Sequence, residues 1–244
     1  MSRNYLILGA SSDVGIELIK EINNNEETST IWAHYCSNSK LIRSIAERNG
    51  NSIIPIAANF SDLNDVKKLC LKINDSQRLP LSIVHLPAPK LLYVKFKELD
   101  WEDCISDVNI QVRSIFQLLQ FFLPRISKMD QRAKIVFMLS ENTINPPAKF
   151  TTKYTMSKYM LLGLMKSLVV EYAGKNVNIN ALSPSMIDTK LLSEIDRRML
   201  DFCGALDNIL APQDVALSLW KLLSVHSDNM NGENVLFSGT SNEI

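Results

Sequence analysis

The chain has no excess of charge of either sign: Lys and Arg number 26, Asp and Glu number 26, and the formal net charge is zero. A surface built to grip nucleic acid needs a basic surplus, so no nucleic-acid partner is expected. Cysteine and histidine are sparse. The four cysteines (Cys36, Cys70, Cys104 and Cys203) are widely spaced without a CxxC pair, and the three histidines are equally scattered. That spacing excludes a structural metal site and reads as reduced thiols in a cytoplasmic protein. No apolar run approaches the roughly 20 residues of a membrane-spanning helix, and no charged-then-apolar leader opens the sequence. Tracts rich in Pro, Gly or Ser, blocks of like charge and internal repeats are also missing, so nothing marks a linker. A single domain over residues 1–244 is expected.

What is present is a high apolar content, 46% of residues, enough for a substantial core. Short apolar runs alternate with amphipathic stretches. The runs predict strands at Tyr5–Leu8, Thr30–Tyr35, Ser52–Ala57, Leu81–His85, Lys134–Leu139, Asn178–Leu182 and Glu233–Phe237. Helices are expected after the first strand to about Asn23, then over Ser39–Asn49, Asn64–Asn74, Trp101–Arg125 and Thr152–Ala173. Continuous apolar strands alternating with helices imply an α/β fold, a doubly wound parallel sheet covered on both faces. Ligands of such sheets bind outside the carboxyl ends of the strands, which directs attention to the loops after Leu8, His85, Leu139 and Leu182.

The first of these loops is Gly9-Ala10-Ser11-Ser12-Asp13-Val14-Gly15. Small residues between a strand and a helix let backbone N–H groups and a helix N-terminus face a pyrophosphate. Gly9, Ser11, Ser12, Asp13, Val14 and Gly15 are therefore candidate cofactor-binding residues. A carboxylate beside phosphate is repelled, so Asp13 is expected to cap the helix with its side chain turned away. A fold selective for NAD(H) places Asp or Glu about 20 residues beyond this loop. From Thr28 to Ala46 no acidic residue occurs, whereas Ser37, Asn38, Ser39, Lys40 and Arg43 offer donors and positive charge to a 2′-phosphate. NADP(H) is favoured over NAD(H).

Tyr154 and Lys158 lie four residues apart, on one face of a helix. A nearby ammonium favours phenolate, so Lys158 is expected to lower the Tyr154 pKa and suit it to proton transfer with an alcohol oxygen. Ser140 ends the preceding strand, where its hydroxyl can hold a carbonyl. Asn109 places a polar amide inside a helix that packing alone does not explain. His34 and His85 read as satisfied core or edge histidines.

Taken in order, Gly9-x-x-x-Asp13-x-Gly15, Asn109, Ser140, Tyr154-x-x-x-Lys158 and Asn180-Ala181-Leu182-Ser183-Pro184 with Thr189 resemble the short-chain dehydrogenase/reductase family, in its short single-domain branch. The resemblance covers essentially the whole chain. It implies a Rossmann-type fold and a catalytic tetrad of Asn109, Ser140, Tyr154 and Lys158. In that scheme Tyr154 is the acid/base and Ser140 polarises the carbonyl. Lys158 binds the nicotinamide ribose, and Asn109 anchors a water in the proton relay. The resemblance extends the cofactor set to Asn59, Phe60, Pro87, Ala88, Pro184, Ser185, Ile187 and Thr189, with Asn59 accepting from an adenine amine. The segment around residues 189–211 is amphipathic and is expected to form a lid that shapes the substrate pocket. The chain departs from the family at Asp13, at His85-Leu86-Pro87-Ala88 in place of Asn-Asn-Ala-Gly, and at Ser185 in place of Gly.

The implied function is hydride transfer between nicotinamide and a secondary alcohol/ketone. The likeness in length and motif spacing to 3-oxoacyl-carrier-protein reductases points to a small-molecule or carrier-bound substrate. An acidic carrier needs a local basic patch, for which Arg125, Lys128, Arg132, Lys134 and Lys175 are candidates. The alternative is a cofactor-binding scaffold with little or no turnover. The apolar faces of the two long helices, Ile115 to Phe122 and Leu161 to Leu168, are wider than one subunit needs. In the family these helices pack against their copies, so a homodimer or homotetramer is expected.

Overall fold

The computed structural model describes residues 3–190 and 209–239. Seven strands form one parallel sheet: β1 (Tyr5–Leu8), β2 (Thr30–Tyr35), β3 (Ser52–Ala57), β4 (Ser82–His85), β5 (Ala133–Met138), β6 (Val177–Pro184) and β7 (Asn234–Phe237). Their order is β3-β2-β1-β4-β5-β6-β7. The doubly wound α/β sheet expected from the sequence is therefore present, with every strand end within two residues of its expected place. The chain winds outward from β1 to β3 and then crosses to β4 on the other side of β1. That reversal opens a crevice at the carboxyl ends of β1 and β4, where ligands of such sheets bind.

Strand alternation separates two cores. Leu6 and Leu8 of β1, Ile83 of β4, and Ile135 and Phe137 of β5 face one side. There they meet α3 (Leu63–Asp75), α5 (Ser114–Ile126) and α6 (Thr152–Glu171) through Leu69, Leu118, Phe122, Leu161 and Met165. Tyr5, Ile7, Val84 and Val136 face the other side. There they are covered by α1 (Asp13–Asn25) and α7 (Pro212–Leu223) through Leu18, Ile19, Ile22, Val215 and Leu219. The spacing of the α1 residues keeps them on one helical stripe, which is why this segment folds as a helix against the sheet.

Two helical expectations change. Only Lys40–Arg43 is helical (α2) of the expected Ser39–Asn49. Side chains satisfy the backbone that follows: Asn23 of α1 accepts from the Arg48 amide at 3.0 Å and donates to the Ala46 carbonyl at 2.8 Å. Local side-chain bonds of this kind compete with helix. The path from Trp101 to Ile126 is helical but not uniform. Helix α4 (Trp101–Val108) passes through a π-helical turn, Asn109–Arg113, before α5 begins. Periodicity gives no sign of this widened turn, which starts at Asn109; such turns recur at functional sites.

Candidate active site

The loop after β1 is held by a histidine that sequence reading left in the core. The Gly9 amide donates to His34 Nδ1 at 3.0 Å, and His34 Nε2 lies 3.0 Å from the Ala58 carbonyl. Because a carbonyl only accepts, the proton sits on Nε2 and the ring is neutral. The imidazole stacks on Phe60, with centroids 3.9 Å apart and planes 3° from parallel. Burial pushes the His34 pKa down to about 4. One ring thus ties the glycine loop to the segment after β3, and the expectation of a satisfied histidine holds for His34.

The loop fits a dinucleotide phosphate. Gly9 has φ +76°, open chiefly to glycine, and a Cβ there would sit 3.1 Å from the Pro87 nitrogen. A Cβ on Gly15 would lie 2.7 Å from the Ala10 backbone, so glycine lets α1 close onto the turn. The cap of α1 is Ser12, whose Oγ accepts from the Gly15 amide at 3.1 Å, and not Asp13 as expected. The first helical residue is Asp13. Its carboxylate accepts from the Lys190 amide at 2.8 Å, tying the loop to the segment after β6. A serine one residue earlier has the extended backbone that a cap requires, which displaces Asp13 from that role. The amides of Ser11, Asp13 and Val14 donate to no protein acceptor among the described residues and are available to an anion.

Around this loop the other expected cofactor contacts take varied positions. Ser37 and Asn38 follow β2 and are exposed, with Asn38 Oδ1 accepting from the Lys40 amide at 2.9 Å. Asn59 Oδ1 already accepts from the Ser61 amide and hydroxyl at 3.1 and 2.8 Å, so it is not the free acceptor expected for an adenine amine. The Phe60 ring is buried beneath His34, leaving only its main chain for a ligand. Pro87 and Ala88 are half-buried after β4. Pro184 ends β6 and is buried, Ser185 donates to the Phe237 carbonyl at 2.9 Å, and Ile187 bridges Leu210. Thr189 lines an open cleft of about 530 Å³ with Asp13, Lys20, Leu41 and Pro212. This cleft flanks α1 and does not include Tyr154. Most of the expected lid, residues 191–208, lies outside the described residues.

At the carboxyl end of β5 the expected reactive groups converge. Ser140 leaves the strand in extended conformation and accepts from the Asn142 amide at 3.3 Å, opening a 3₁₀ turn over Glu141–Thr143. Tyr154 and Lys158 project from α6 with the Lys158 Nζ 5.4 Å from the Tyr154 ring centroid. Lys158 is 1% exposed and donates to the Met138 carbonyl at 2.9 Å. Burial lowers its pKa to about 7. The Tyr154 pKa is raised, not lowered as expected. Burial is the main cause; the nearby Ser140 hydroxyl pulls it down in part, and the Glu141 charge pushes it up. Desolvation penalises phenolate, and the same burial lowers the Lys158 pKa to about 7, so the lysine carries less than a full charge near neutrality. Asn109 is half-buried at the head of the π turn, at the junction with α4.

Beneath this group lies a polar site that the sequence did not reveal. His85 is fully buried, and among the described residues no hydrogen bond of good geometry reaches either ring nitrogen or either atom of the Gln111 side-chain amide. Burial and then the Lys158 charge hold the His85 pKa well below its usual range. The expectation of a satisfied histidine is met only in part here: the Gln111 backbone in the widened turn is a polar neighbour that favours the charged ring, but no side chain among the described residues pairs with it. Alongside, Asp107 of α4 and Lys153 of α6 pair at 3.3 Å with both side chains nearly buried, fixing the helix that carries Tyr154. Among the described residues no cluster of His, Cys, Asp and Glu could hold a metal. The described cysteines, Cys36, Cys70 and Cys104, are free thiols.

The expected basic patch is thinner than its sequence. Lys134 is 1% exposed; it pairs with Asp228 at 2.7 Å and donates to the Ser224 carbonyl and the Ser227 hydroxyl. It therefore belongs to the interior, held there because β5 starts inside the fold. Arg125 lies over the Phe121 ring and donates to the Phe121 carbonyl. Lys128, Arg132 and Lys175 remain exposed.

Residues 3–200 match the family model described as short chain dehydrogenase. The chain is 23% identical over 241 residues to a 3-oxoacyl-[acyl-carrier-protein] reductase of Thermotoga maritima, covering 96% of this chain and 95% of that protein. The fold superimposes on the crystal structure of such a reductase from Brucella melitensis, with a TM-score of 0.82 at 22% identity over 99% and 92% of the two chains. Two further neighbours were solved with nicotinamide cofactors. A 4-hydroxyisoleucine dehydrogenase holds NADH (TM-score 0.82, 19% identity, 99% and 100% covered), and a blue fluorescent protein from a metagenomic library holds NADPH (0.84, 18%, 99% and 98%).

Proposed function

The chain belongs to the short-chain dehydrogenase/reductase family, and from that premise we propose that it is an NADP(H)-dependent oxidoreductase of a secondary alcohol/ketone pair, acting as a carbonyl reductase in the cytoplasm. The observation that carries this reading is the grouping of Ser140, Tyr154 and Lys158 at the carboxyl end of β5, in a sheet whose β1 ends in a glycine loop with amides free of protein acceptors among the described residues. A nicotinamide cofactor held by the glycine loop and Lys158 would supply the hydride for the carbonyl carbon, its reduced form being oxidised as the ketone becomes an alcohol. Tyr154, protonated across the physiological range because its pKa is raised, gives its proton to the carbonyl oxygen. The Ser140 hydroxyl donates to the same oxygen and holds it at the phenol. Lys158, partly charged near neutrality, stabilises the phenolate left behind and binds the nicotinamide ribose. Asn109, at the widened turn, anchors the water through which the proton is restored. The absence of acidic residues over Thr28–Ala46, with Lys40 and Arg43 exposed at α2, supports the 2′-phosphate preference.

Exposed apolar side chains on α5 and α6, namely Phe116, Met156, Tyr159, Met160 and Val170, support a homo-oligomer built on these helices. A carrier-bound 3-oxoacyl thioester is a second reading of the substrate, favoured by the name of the Thermotoga relative and by exposed Arg132 and Lys175. Salt and the double variant Arg132→Glu/Lys175→Glu should slow a carrier substrate but not a free ketone. The direct test is NADPH oxidation with a panel of small ketones, diketones and 3-oxoacyl thioesters. Turnover supports the enzyme. Tight NADPH binding with no turnover on any member leaves the scaffold.

A further inference from the structure

Glu141 follows Ser140 directly, in the turn that carries the Ser140 hydroxyl beside Tyr154. The turn is pinned on every side. The Thr143 amide and hydroxyl both donate to the Ser140 carbonyl, at 2.9 and 2.8 Å. The Glu141 carbonyl accepts from the amides of Ile144 and Asn145, and the Asn142 side chain donates to Thr155 of α6 at 3.2 Å. The Glu141 side chain is half-buried, but no cation, amide or hydroxyl meets its carboxylate among the described residues. Burial alone raises its pKa, and its charge is felt at the Tyr154 phenol. A partly desolvated carboxylate without a protein partner among the described residues thus sits on the residue next to Ser140, in the turn that these hydrogen bonds hold rigid.

Burying such a group is unfavourable unless a donor compensates it. An alkyl or acyl chain laid against it would deepen the penalty, and an anionic substituent would be repelled. A hydroxyl or ammonium on the substrate would relieve it. Resting on the ketone-reductase reading above, we infer that Glu141 selects the substrate, a ketone that carries a hydroxyl or ammonium donor within a few bonds of its carbonyl. A hydroxyketone or aminoketone fits this site; a plain 3-oxoacyl chain does not.

The test compares kcat/KM at saturating NADPH for 1-hydroxy-2-butanone, 1-amino-2-butanone, 2-pentanone and the N-acetylcysteamine thioester of acetoacetate. Wild type, Glu141→Gln and Glu141→Val are assayed, and NADPH affinity of each reports intact folding. Wild type is expected to favour at least one donor-bearing ketone over 2-pentanone by about tenfold or more, as sites built to pair a polar group do. Glu141→Val should bring that ratio to about one. Glu141→Gln, which keeps an acceptor without the charge, separates the two donors: it preserves a hydroxyl preference and abolishes an ammonium preference. Should Glu141→Val lose NADPH binding, the near-isosteric Glu141→Gln and the wild-type ratios decide. Ketone reduction that favours 2-pentanone or the thioester in wild type, or ratios indifferent to Glu141→Val, overturns this inference and leaves the reductase standing. No reduction of any ketone by NADPH-binding wild type overturns both.

Discussion

Acid should loosen this fold through His34, and replacing that residue should remove the effect. The ring is neutral and buried, accepting from Gly9 and donating to Ala58, and its pKa is about 4 against an ordinary 6.5. Above pH 6.5 neither folded nor unfolded chain protonates it, and its full contribution is present. Between pH 6.5 and about 4 the unfolded chain takes the proton and the folded one does not, so stability falls with pH. At about 1.4 kcal/mol per pH unit the loss reaches about 3 kcal/mol by pH 4. His34→Gln carries no titrating group and can still donate to Ala58, but it gives up the Gly9 bond and the Phe60 stack. Those contribute about 1 kcal/mol each, so at pH 7 the variant should be less stable by about 2 kcal/mol. The two stability curves should then meet near pH 5. Urea unfolding of both proteins at pH 7, 6 and 5 measures the gap, and the other buried groups, His85 included, cancel in the difference. A gap at pH 5 as wide as at pH 7 would refute the assignment of a neutral, doubly bonded imidazole. In the same preparations His34→Asn, whose Oδ1 can replace Nδ1 at Gly9, should bind NADPH more tightly than His34→Gln.

Tyr154→Phe should leave unfolding and NADPH affinity near wild type while turnover disappears, since only the hydroxyl is removed; more than a few per cent of wild-type kcat would contradict the role given to Tyr154. Arg43→Glu, beside Ser39 at the head of α2, should weaken NADPH by about tenfold or more and spare NADH, as read by fluorescence titration. Equal loss of both cofactors, or tighter NADH than NADPH in wild type, would remove the 2′-phosphate reading. Gly15→Ala should lower stability by about 1–3 kcal/mol and weaken NADPH, because the added methyl lies 2.7 Å from the Ala10 backbone; an unchanged Tm with unchanged affinity would show that α1 shifts freely.

The strands were legible because their signal is local. A parallel strand covered on both faces must be largely apolar, and runs such as Tyr5–Leu8 and Ile135–Met138 contain that requirement within themselves. Helices were legible where burial carries them, as in α1 and α6. They were not legible over Ser44–Asn49, where Asn23, more than 20 residues away, takes over the backbone bonds. The candidate reactive residues were readable as well, since Tyr154 and Lys158 lie one turn apart on one helix and Ser140 follows closely on a strand.

The chemistry of those residues was decided only in three dimensions. A pKa depends on the sum of desolvation and neighbouring charge, and no spacing rule supplies either, so the Tyr154 phenol moves up although a lysine lies one turn away. Lys134 looks like surface charge by sequence and proves to be interior, because Asp228, 94 positions later, folds over the start of β5. Asp13 yields the cap to Ser12 on a difference of backbone angle, and Asn109 acquires its π turn without any change in apolar period. Glu141 is one more acid in the chain until the turn after β5 half-buries it next to Ser140, without a partner among the described residues. Residue type and short-range period determined where this chain puts strands, helices and its candidate reactive groups. Which of those groups is charged, paired or left waiting for a ligand was determined by contacts between segments that only the folded sheet brings together.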